Sequence, residues 1–331
     1  MKRLFLLLAV VAAVSCGSTV PERQNWDNEN MPLYGDVESI NVAEYNLSLR
    51  FGEISRDEVT GRNVAVFNEA GDAVEFTVYY GNGSIDEKHV YVYDSERRLV
   101  EDQCYGYGGS LSYKAISKYD SQSNLIEMAR YDSSGSLFNK EVYVYDAEGR
   151  LIEKAYYYSD GGLGNKTLYI YDADGQMTEE TKYNAYGSLS SKIVYKYDSD
   201  GNLVERSEYY SDGSLGGKYT YVYDSKGNKL EEVHYYSNGA IDYKYTYKYD
   251  SDGRVIEDMT YGSNGMLEYK SKCVYDSNDN IVEDIRYNHG GMMSEKYVYK
   301  YDDMNNLVER IEYSGEAMVP QSLIEYKITY R

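Results

Sequence analysis

Hydrophobic and polar residues alternate along most of this chain. Residues 203–209 place Leu203, Glu205 and Tyr209 on one face, and residues 219–223 place three tyrosines on one face. A period of two predicts β-strands, whereas an amphipathic helix would repeat every three to four residues. Turn sequences such as Asp-Ser-Asp-Gly separate the strands, and their glycine can adopt the positive φ that closes a short hairpin.

The strands belong to a repeat of 26 residues, marked by Tyr-Asp pairs that recur from Tyr93 to Tyr301. In every copy, a glutamate stands eight residues after the tyrosine of the Tyr-Asp pair. A second tyrosine stands twelve residues after that same tyrosine. A weaker copy begins at Phe67. The pattern predicts an all-β fold, a long antiparallel β-meander of about ten 26-residue, two-strand repeats in a twisted or coiled, solenoid-like sheet.

The non-repeating ends predict further segments. Residues around Tyr45 alternate without the repeat signature, and Pro320 stands before a last strand, at the kind of edge position that tolerates proline. We therefore expect N- and C-terminal capping strands that protect the sheet edges. The predicted organisation is a lipoprotein signal peptide at 1–15, a flexible tether at 16–33, capping strands at 34–66, the repeat array at 67–313 and a capping strand at 314–331.

The N-terminus carries an export signal. A basic start precedes an apolar run, residues 4–14, that is too short to span a bilayer. The run ends in Ala13-Val14-Ser15-Cys16, which resembles the lipobox of bacterial lipoproteins. The resemblance implies that Cys16 is lipidated, that the membrane is a partner through this anchor, and that the protein lies in the outer membrane or at the cell surface. The alternative is an ordinary secretory signal with a chance cysteine.

The repeated glutamates and tyrosines predict a ladder. If the residues flanking each turn pair, Glu205 lies beside Tyr195 and Tyr219, while Lys218 falls on the opposite face. Phenol groups beside a carboxylate can donate hydrogen bonds to it and so hold the strand register. The alternative is a glycan-binding strip. The candidate ladder or binding face comprises Glu153, Glu179, Glu205, Glu231, Glu257, Tyr157, Tyr183, Tyr209, Tyr235 and Tyr261.

Charge and reactive residues narrow the functional classes. A formal net charge of −21 argues against nucleic acid as a partner. His89, His234 and His289 fall in different units without ligand spacing, and Cys104 and Cys273 are too far apart along the sheet to form a disulfide. The Asp-Ser-Asp-Gly sequences indicate turns rather than calcium loops. We therefore expect no catalytic residues, no metal and no cofactor, hence no enzyme.

The motif Tyr-x-Tyr-Asp-x-x-Gly-x-Leu at residues 195–203 resembles the YD or RHS repeat of bacterial surface and toxin proteins and of teneurins. The resemblance covers about residues 67–313 and implies strips of β-hairpins that spiral into a shell. The repeat unit is shorter in that family, and no toxin domain follows the array here, so encapsulation is not expected. Together with the lipobox, the array also resembles repeat lipoproteins of the Bacteroidota.

These features predict a lipid-anchored envelope protein that acts as a non-enzymatic binding or adhesion scaffold. Aromatic faces stack on sugar rings and repeats provide multivalency, so a glycan or another protein is the expected ligand. The alternative is a purely structural spacer or shell element with no dedicated ligand.

Overall fold

A computed structural model describes residues 33–50, 53–315 and 317–331. The predicted signal peptide, most of the predicted tether and the predicted lipidation site, Cys16, lie outside these ranges. In chain order the strands are β1 (Val37–Arg50), β2 (Glu53–Phe67), β3 (Ala73–Tyr79), β4 (Ile85–Tyr93), β5 (Leu99–Tyr105), β6 (Leu111–Tyr119), β7 (Leu125–Asp132), β8 (Leu137–Tyr145), β9 (Leu151–Tyr158), β10 (Leu163–Tyr171), β11 (Met177–Asn184), β12 (Leu189–Tyr197), β13 (Leu203–Tyr210), β14 (Leu215–Tyr223), β15 (Lys229–Tyr236), β16 (Ile241–Tyr249), β17 (Val255–Gly262), β18 (Leu267–Tyr275), β19 (Ile281–Asn288), β20 (Met293–Tyr301), β21 (Leu307–Ser314) and β22 (Val319–Tyr330).

The strands form a single antiparallel meander that closes on itself. Strand β1 pairs with β2 on one side and with β22 on the other, so that Ile40 lies opposite both Ala65 and Ile328. The sheet is therefore a closed barrel of 22 strands. The expected open, solenoid-like sheet with capping strands is wrong. The first and last strands, β1 and β22, pair with each other instead of capping two free edges. This long-range contact cannot be read from the local alternation of the sequence.

The barrel strands are tilted. Glu205 pairs with Thr220, which pairs in turn with Val233, 28 residues after Glu205, whereas the repeat is 26 residues long. The register thus climbs by two residues for every two strands. With ordinary strand spacings this shear gives a tilt of about 35° and a backbone radius of about 20 Å. All extensive contacts between described elements join neighbouring strands, so the wall is a single layer.

The Tyr-Asp signature builds a hairpin turn. The Asp198 carboxylate accepts hydrogen bonds from the backbone N–H groups of Asp200 and Asn202, both at 2.9 Å. Gly201 adopts φ 85° and donates its N–H to the Asp198 carbonyl. The predicted positive φ is therefore present. Residues other than glycine adopt it at the same place in other units, namely Arg97, Ser123, Asp279 and Asn305.

A local core lies where the barrel closes. Val37 and Ile40 are fully buried, and they cluster with Ala65, Phe67 and Phe76. The only described helix is a three-residue 3-10 turn, Tyr107–Gly109. Among the described residues, no helix combines the length and hydropathy needed to cross a membrane.

Candidate binding face

The strand register differs from the predicted one by a single residue. Glu205 lies opposite Lys196 on β12 and Thr220 on β14, not opposite Tyr195 and Tyr219. Beside the turn Tyr197 pairs with Leu203 as expected, but Lys196 pairs with Glu205, so Val204 is the extra residue of a β-bulge that shifts the rest of the pairing. Because side chains alternate across a strand, a shift of one residue moves each predicted partner to the other face.

The register therefore defines two faces. The tyrosine face carries Tyr195, Arg206 and Tyr219, which are paired across β12, β13 and β14, together with their equivalents in other repeats. The glutamate face carries Glu205 and Lys196 and their equivalents. Every residue of the predicted ladder, glutamate or tyrosine, lies on the glutamate face.

Lysines connect the rows on the glutamate face. The Lys218 ammonium lies 3.7 Å from Glu205 on the preceding strand and 5.3 Å from the ring centroid of Tyr235 on the following strand. The expectation that this lysine lies on the opposite face is wrong. A hydrogen bond from Lys196 and the charges of both lysines hold the pKa of Glu205 below its usual value. Ion pairs, rather than phenolic hydrogen bonds, thus organise this row. Equivalent pairs are Lys166–Glu153, Lys192–Glu179, Lys244–Glu231 and Lys270–Glu257.

The tyrosine face is the concave, inner surface of the barrel. Burial raises the pKa of Tyr195 and Tyr221 on this face, the latter to about 12. On the glutamate face, the apolar side chains of Val144, Ile170 and Val222 are 43–52% exposed, whereas the tyrosines that precede them on the tyrosine face are partly buried. Side chains converge on the inside of a cylinder and diverge on the outside, which accounts for this difference. At the strand ends the tyrosine face is exposed as well, for example at Tyr236.

One row of inner tyrosines supports the wall. The Tyr223 hydroxyl donates a 2.9 Å hydrogen bond to the Leu203 carbonyl, 20 residues earlier. The Tyr197 hydroxyl does the same to the Met177 carbonyl. These phenols bind backbone groups and so act in folding. The Tyr143 hydroxyl, closer to the middle of its strand, instead donates to the Glu141 carboxylate.

The inner aromatic residues are densest around His234. Its ring stacks on Tyr219 at 4.4 Å between centroids and lies 5.0 Å from the ring of Tyr243. The His234 Nδ1 is 3.0 Å from Asp242 Oδ2, and the Tyr236 hydroxyl donates to Asp242 Oδ1. We call Tyr219, His234, Tyr236, Asp242 and Tyr243 the histidine platform.

Gly217 makes room for this platform. It lies on β14 opposite Tyr236, in line with Tyr219 on the inner face. A Cβ at this position would stand 3.0 Å from His234 Nε2 and 3.3 Å from the Tyr235 carbonyl oxygen. Other units carry a side chain at the equivalent position, for example Asn165. The glycine thus lets the imidazole lie flat against the sheet.

The platform presents three partly buried aromatic rings and the exposed ring of Tyr236, with the Asp242 carboxylate beside them. The hydrogen bond from Tyr236 lowers the pKa of Asp242, so this carboxylate is ionised and accepts hydrogen bonds at neutral pH. The aromatic rings can stack on an apolar ring face of a ligand, and the carboxylate can accept hydrogen bonds from its hydroxyl groups. The platform therefore suits a ring-shaped ligand with peripheral hydroxyl groups. Sequence reasoning missed this site, because His234 was interpreted as an isolated surface residue. The neighbouring Gly216-Gly217 pair was its sequence signal.

The other reactive residues lie apart from the platform. His89 pairs across strands with Cys104 on the inner face, while His289 stands in the turn after β19. Burial lowers the pKa of His89, but hydrogen bonds to Asp102 and Cys104 outweigh it and raise that pKa to about 10. Cys104 and Cys273 are free thiols.

No protein-family model matches this chain, and no curated protein matches it. Among solved structures it is similar to TcdB2-TccC3 without its hypervariable C-terminal region, with a TM-score of 0.34 and 11% identity over 92% of this chain and 20% of that one. It is also similar to a porin-like protein from Bacteroides uniformis, with a TM-score of 0.32 and 10% identity over 90% of this chain and 99% of that one. The chain spans about a fifth of the TcdB2-TccC3 chains. TM-scores of this size carry no argument about function.

Proposed function

We propose that this protein is a non-enzymatic envelope component that binds a carbohydrate chain on its inner tyrosine face, with the histidine platform as the main contact. The platform is the observation that carries the proposal. The rings of Tyr219, His234 and Tyr243 offer apolar faces, and Asp242 offers an acceptor for sugar hydroxyls. The formal net charge of −21 disfavours polyanionic glycans, so the ligand is a neutral or basic polysaccharide.

The dimensions of the barrel support an extended ligand. A backbone radius of about 20 Å leaves space for a polymer chain beside the inner side chains. The repeat places further aromatic residues on the same face, and several weak contacts along one polymer chain add up to useful avidity. A short sugar should therefore bind more weakly than a long one.

The proposal also includes a lipid anchor at Cys16 and a relationship to YD or RHS repeat proteins. The Ala13-Val14-Ser15-Cys16 sequence supports lipidation at Cys16 and a location in the outer membrane or at the cell surface. Tyr-Asp turns at a spacing of 26 residues support kinship with YD or RHS repeat proteins. Metabolic fatty-acid labelling tests the anchor: label should enter the wild type and disappear in Cys16→Ala. Label that persists in this variant would contradict lipidation.

Affinity electrophoresis against neutral polysaccharides, followed by calorimetry with the best binder, tests the ligand. Tyr219→Ala and Tyr243→Ala should each weaken binding about tenfold or more, which corresponds to about 1.4 kcal/mol. Tyr219→Phe should retain most of the binding, since stacking needs the ring and not the hydroxyl.

The glutamate face provides matched controls on strands β13 and β15. Tyr209→Ala and Tyr235→Ala remove equal aromatic area from the outer surface and should leave affinity unchanged. Equal losses from both faces would show that the effect is on folding. If no polysaccharide bound, the purely structural spacer or shell would replace this proposal.

A further inference from the structure

The inner face holds a second cluster of unique residues, some distance along the array from the histidine platform. Glu87 and His89 on β4 lie beside Cys104 on β5. The His89 Nε2 is 2.9 Å from Glu87 Oε1, and the Cys104 thiol donates to the same oxygen at 3.1 Å. One oxygen, one nitrogen and one sulfur thus lie within 4.8 Å of one another.

The other ring nitrogen of His89 is also held. Its Nδ1 lies 2.8 Å from Asp102 Oδ1, on the strand that carries Cys104. A carboxylate behind a histidine is the usual support of a metal-binding imidazole, because it fixes the ring orientation and leaves Nε2 directed at the metal. In this cluster Nε2 points towards Glu87 and Cys104.

The cluster is buried on the side of Cys104 and Tyr91, whereas the Glu87 side chain is 48% exposed, and the buried side contains a spare polar group. Cys104 is 3% exposed, and Tyr91, which stacks on His89, is 8% exposed. Among the described residues the Tyr91 hydroxyl has no hydrogen-bond partner. The charges of Asp102 and Cys104 act on this phenol, so it stands close to the cluster. A buried polar group without a partner requires an explanation, and a metal-bound water beside it would provide one.

A catalytic cysteine does not explain the cluster. Cys, His and Asp together suit nucleophilic catalysis only if the thiol is deprotonated and accessible. Cys104 is 3% exposed, and its thiol donates to the Glu87 carboxylate. A substrate in the barrel therefore cannot reach the thiol in this arrangement.

We propose that Glu87, His89 and Cys104 bind a divalent transition metal, with Zn²⁺ as the best fit, and that Asp102 positions the histidine. Carboxylate, imidazole and thiolate are all ligands of zinc, and three protein ligands leave a fourth position for water or for a ligand in the barrel. Zinc at about 2.0–2.3 Å from each donor needs donors about 3.3–3.8 Å apart, so the cluster must open by less than 1 Å. The protons on the thiol and on Nε2 leave to solvent when the metal binds.

Cobalt titration of the full-length, metal-free protein tests the site. One Co²⁺ per chain should bind with a near-ultraviolet thiolate-to-cobalt absorption band, and Zn²⁺ should abolish the band by displacement. Cys104→Ala should remove the band and weaken Zn²⁺ binding at least 100-fold, and His89→Ala should weaken it similarly. Asp102→Asn should keep the band but bind about 10–100-fold more weakly, as expected for a positioning residue.

Cys273→Ser, Cys16→Ser and His234→Gln are the matched controls and should retain both band and affinity. Melting curves with and without Zn²⁺ separate binding from folding, since a specific metal should raise the melting temperature of the wild type and not of Cys104→Ala. An unchanged band in Cys104→Ala, or equal zinc affinity in wild type and in this variant, would overturn the proposal. Failure of the wild type to bind one metal ion would do the same.

Discussion

The seam where the barrel closes and the repeat array that forms most of its wall are held together differently. At the seam, Val37 and Ile40 are fully buried, and Phe67 is 3% exposed. In the array, the buried side chains are mostly small, such as Ala155 and Ser207. Each array strand is joined to the next by a short turn, whereas β1 and β22 come from opposite ends of the chain. A pairing that no turn enforces needs specific packing.

Hydrogen bonds of two equivalent asparagines also differ between the seam and the repeat array. The buried side chain of Asn306 accepts the Tyr34 N–H at 2.7 Å and donates to the Tyr34 carbonyl at 3.0 Å, across 272 residues of sequence. In the array, the equivalent Asn202 donates its side-chain amide only to Asp198 in its own turn. The same residue at the same place in the repeat therefore closes the barrel in one unit and stabilises a local hairpin in another.

The largest expected effect on folding comes from a deletion that leaves an odd number of strands in the barrel. Deleting residues 197–209 removes one strand and would bring β1 and β22 together in parallel, so we expect loss of folding. Deleting residues 197–222 removes a complete repeat and leaves β1 and β22 antiparallel, so a narrower barrel should form. Circular dichroism and limited proteolysis measure both. Equal aggregation of the two variants would mean that closure tolerates only the natural number of strands.

Asn306→Ala should have the next largest effect. It removes two hydrogen bonds to the Tyr34 backbone that join the two ends of the chain, at about 0.5–1.5 kcal/mol for each bond, so we expect a loss of about 1–3 kcal/mol. Asn202→Ala is the matched change in the array and should cost less than about 1 kcal/mol, because its turn retains the backbone hydrogen bonds. Denaturant unfolding measures both, and equal losses would contradict the distinction between seam and array.

Substitutions at the positive-φ positions of the array turns should change the free energy of unfolding by smaller amounts. Gly213 adopts φ 82° with no atom within 4 Å of an added Cβ, so Gly213→Ala should cost about 1–2 kcal/mol through backbone strain alone. Ser123 adopts φ 67° at the corresponding place in another turn, and Ser123→Gly should stabilise by up to about 1 kcal/mol. Thermal unfolding compares them. A neutral Gly213→Ala would show that the turn can change its conformation.

The outer ion pairs should contribute least. Glu205→Gln should cost about 0.2–1 kcal/mol, because the pairs with Lys196 and Lys218 are partly exposed, and salt should reduce the difference. The folded-state pKa of Glu205 is lowered from 4.5, so its contribution is present above that value and disappears as the pH falls through the lowered pKa. Urea unfolding between neutral and acidic pH measures this. A cost that does not change with pH would contradict an ionic role.

The sequence predicted correctly those features that depend on residues close together in the chain, and it failed for features that depend on pairing between strands. The alternation around Glu205 and the glycine at 201 indicated strands and a positive-φ turn, because both depend on residues a few positions apart. The predicted partners of Glu205 were wrong, since a β-bulge at Val204 shifts the register by one residue. That error placed the ladder glutamates beside phenols, and it also hid the pairing of His89 with Cys104.

By itself, the sequence determined the meander: its period of 26 residues, its two strands per unit and its Tyr-Asp turns all follow from local backbone chemistry. Only the tertiary structure decided that β1 pairs with β22, which face lies inside, and that Tyr219, His234 and Tyr243 meet. These outcomes depend on strand shear and on contacts between distant segments. Small register offsets accumulate around the barrel, and their sum decides whether the sheet closes.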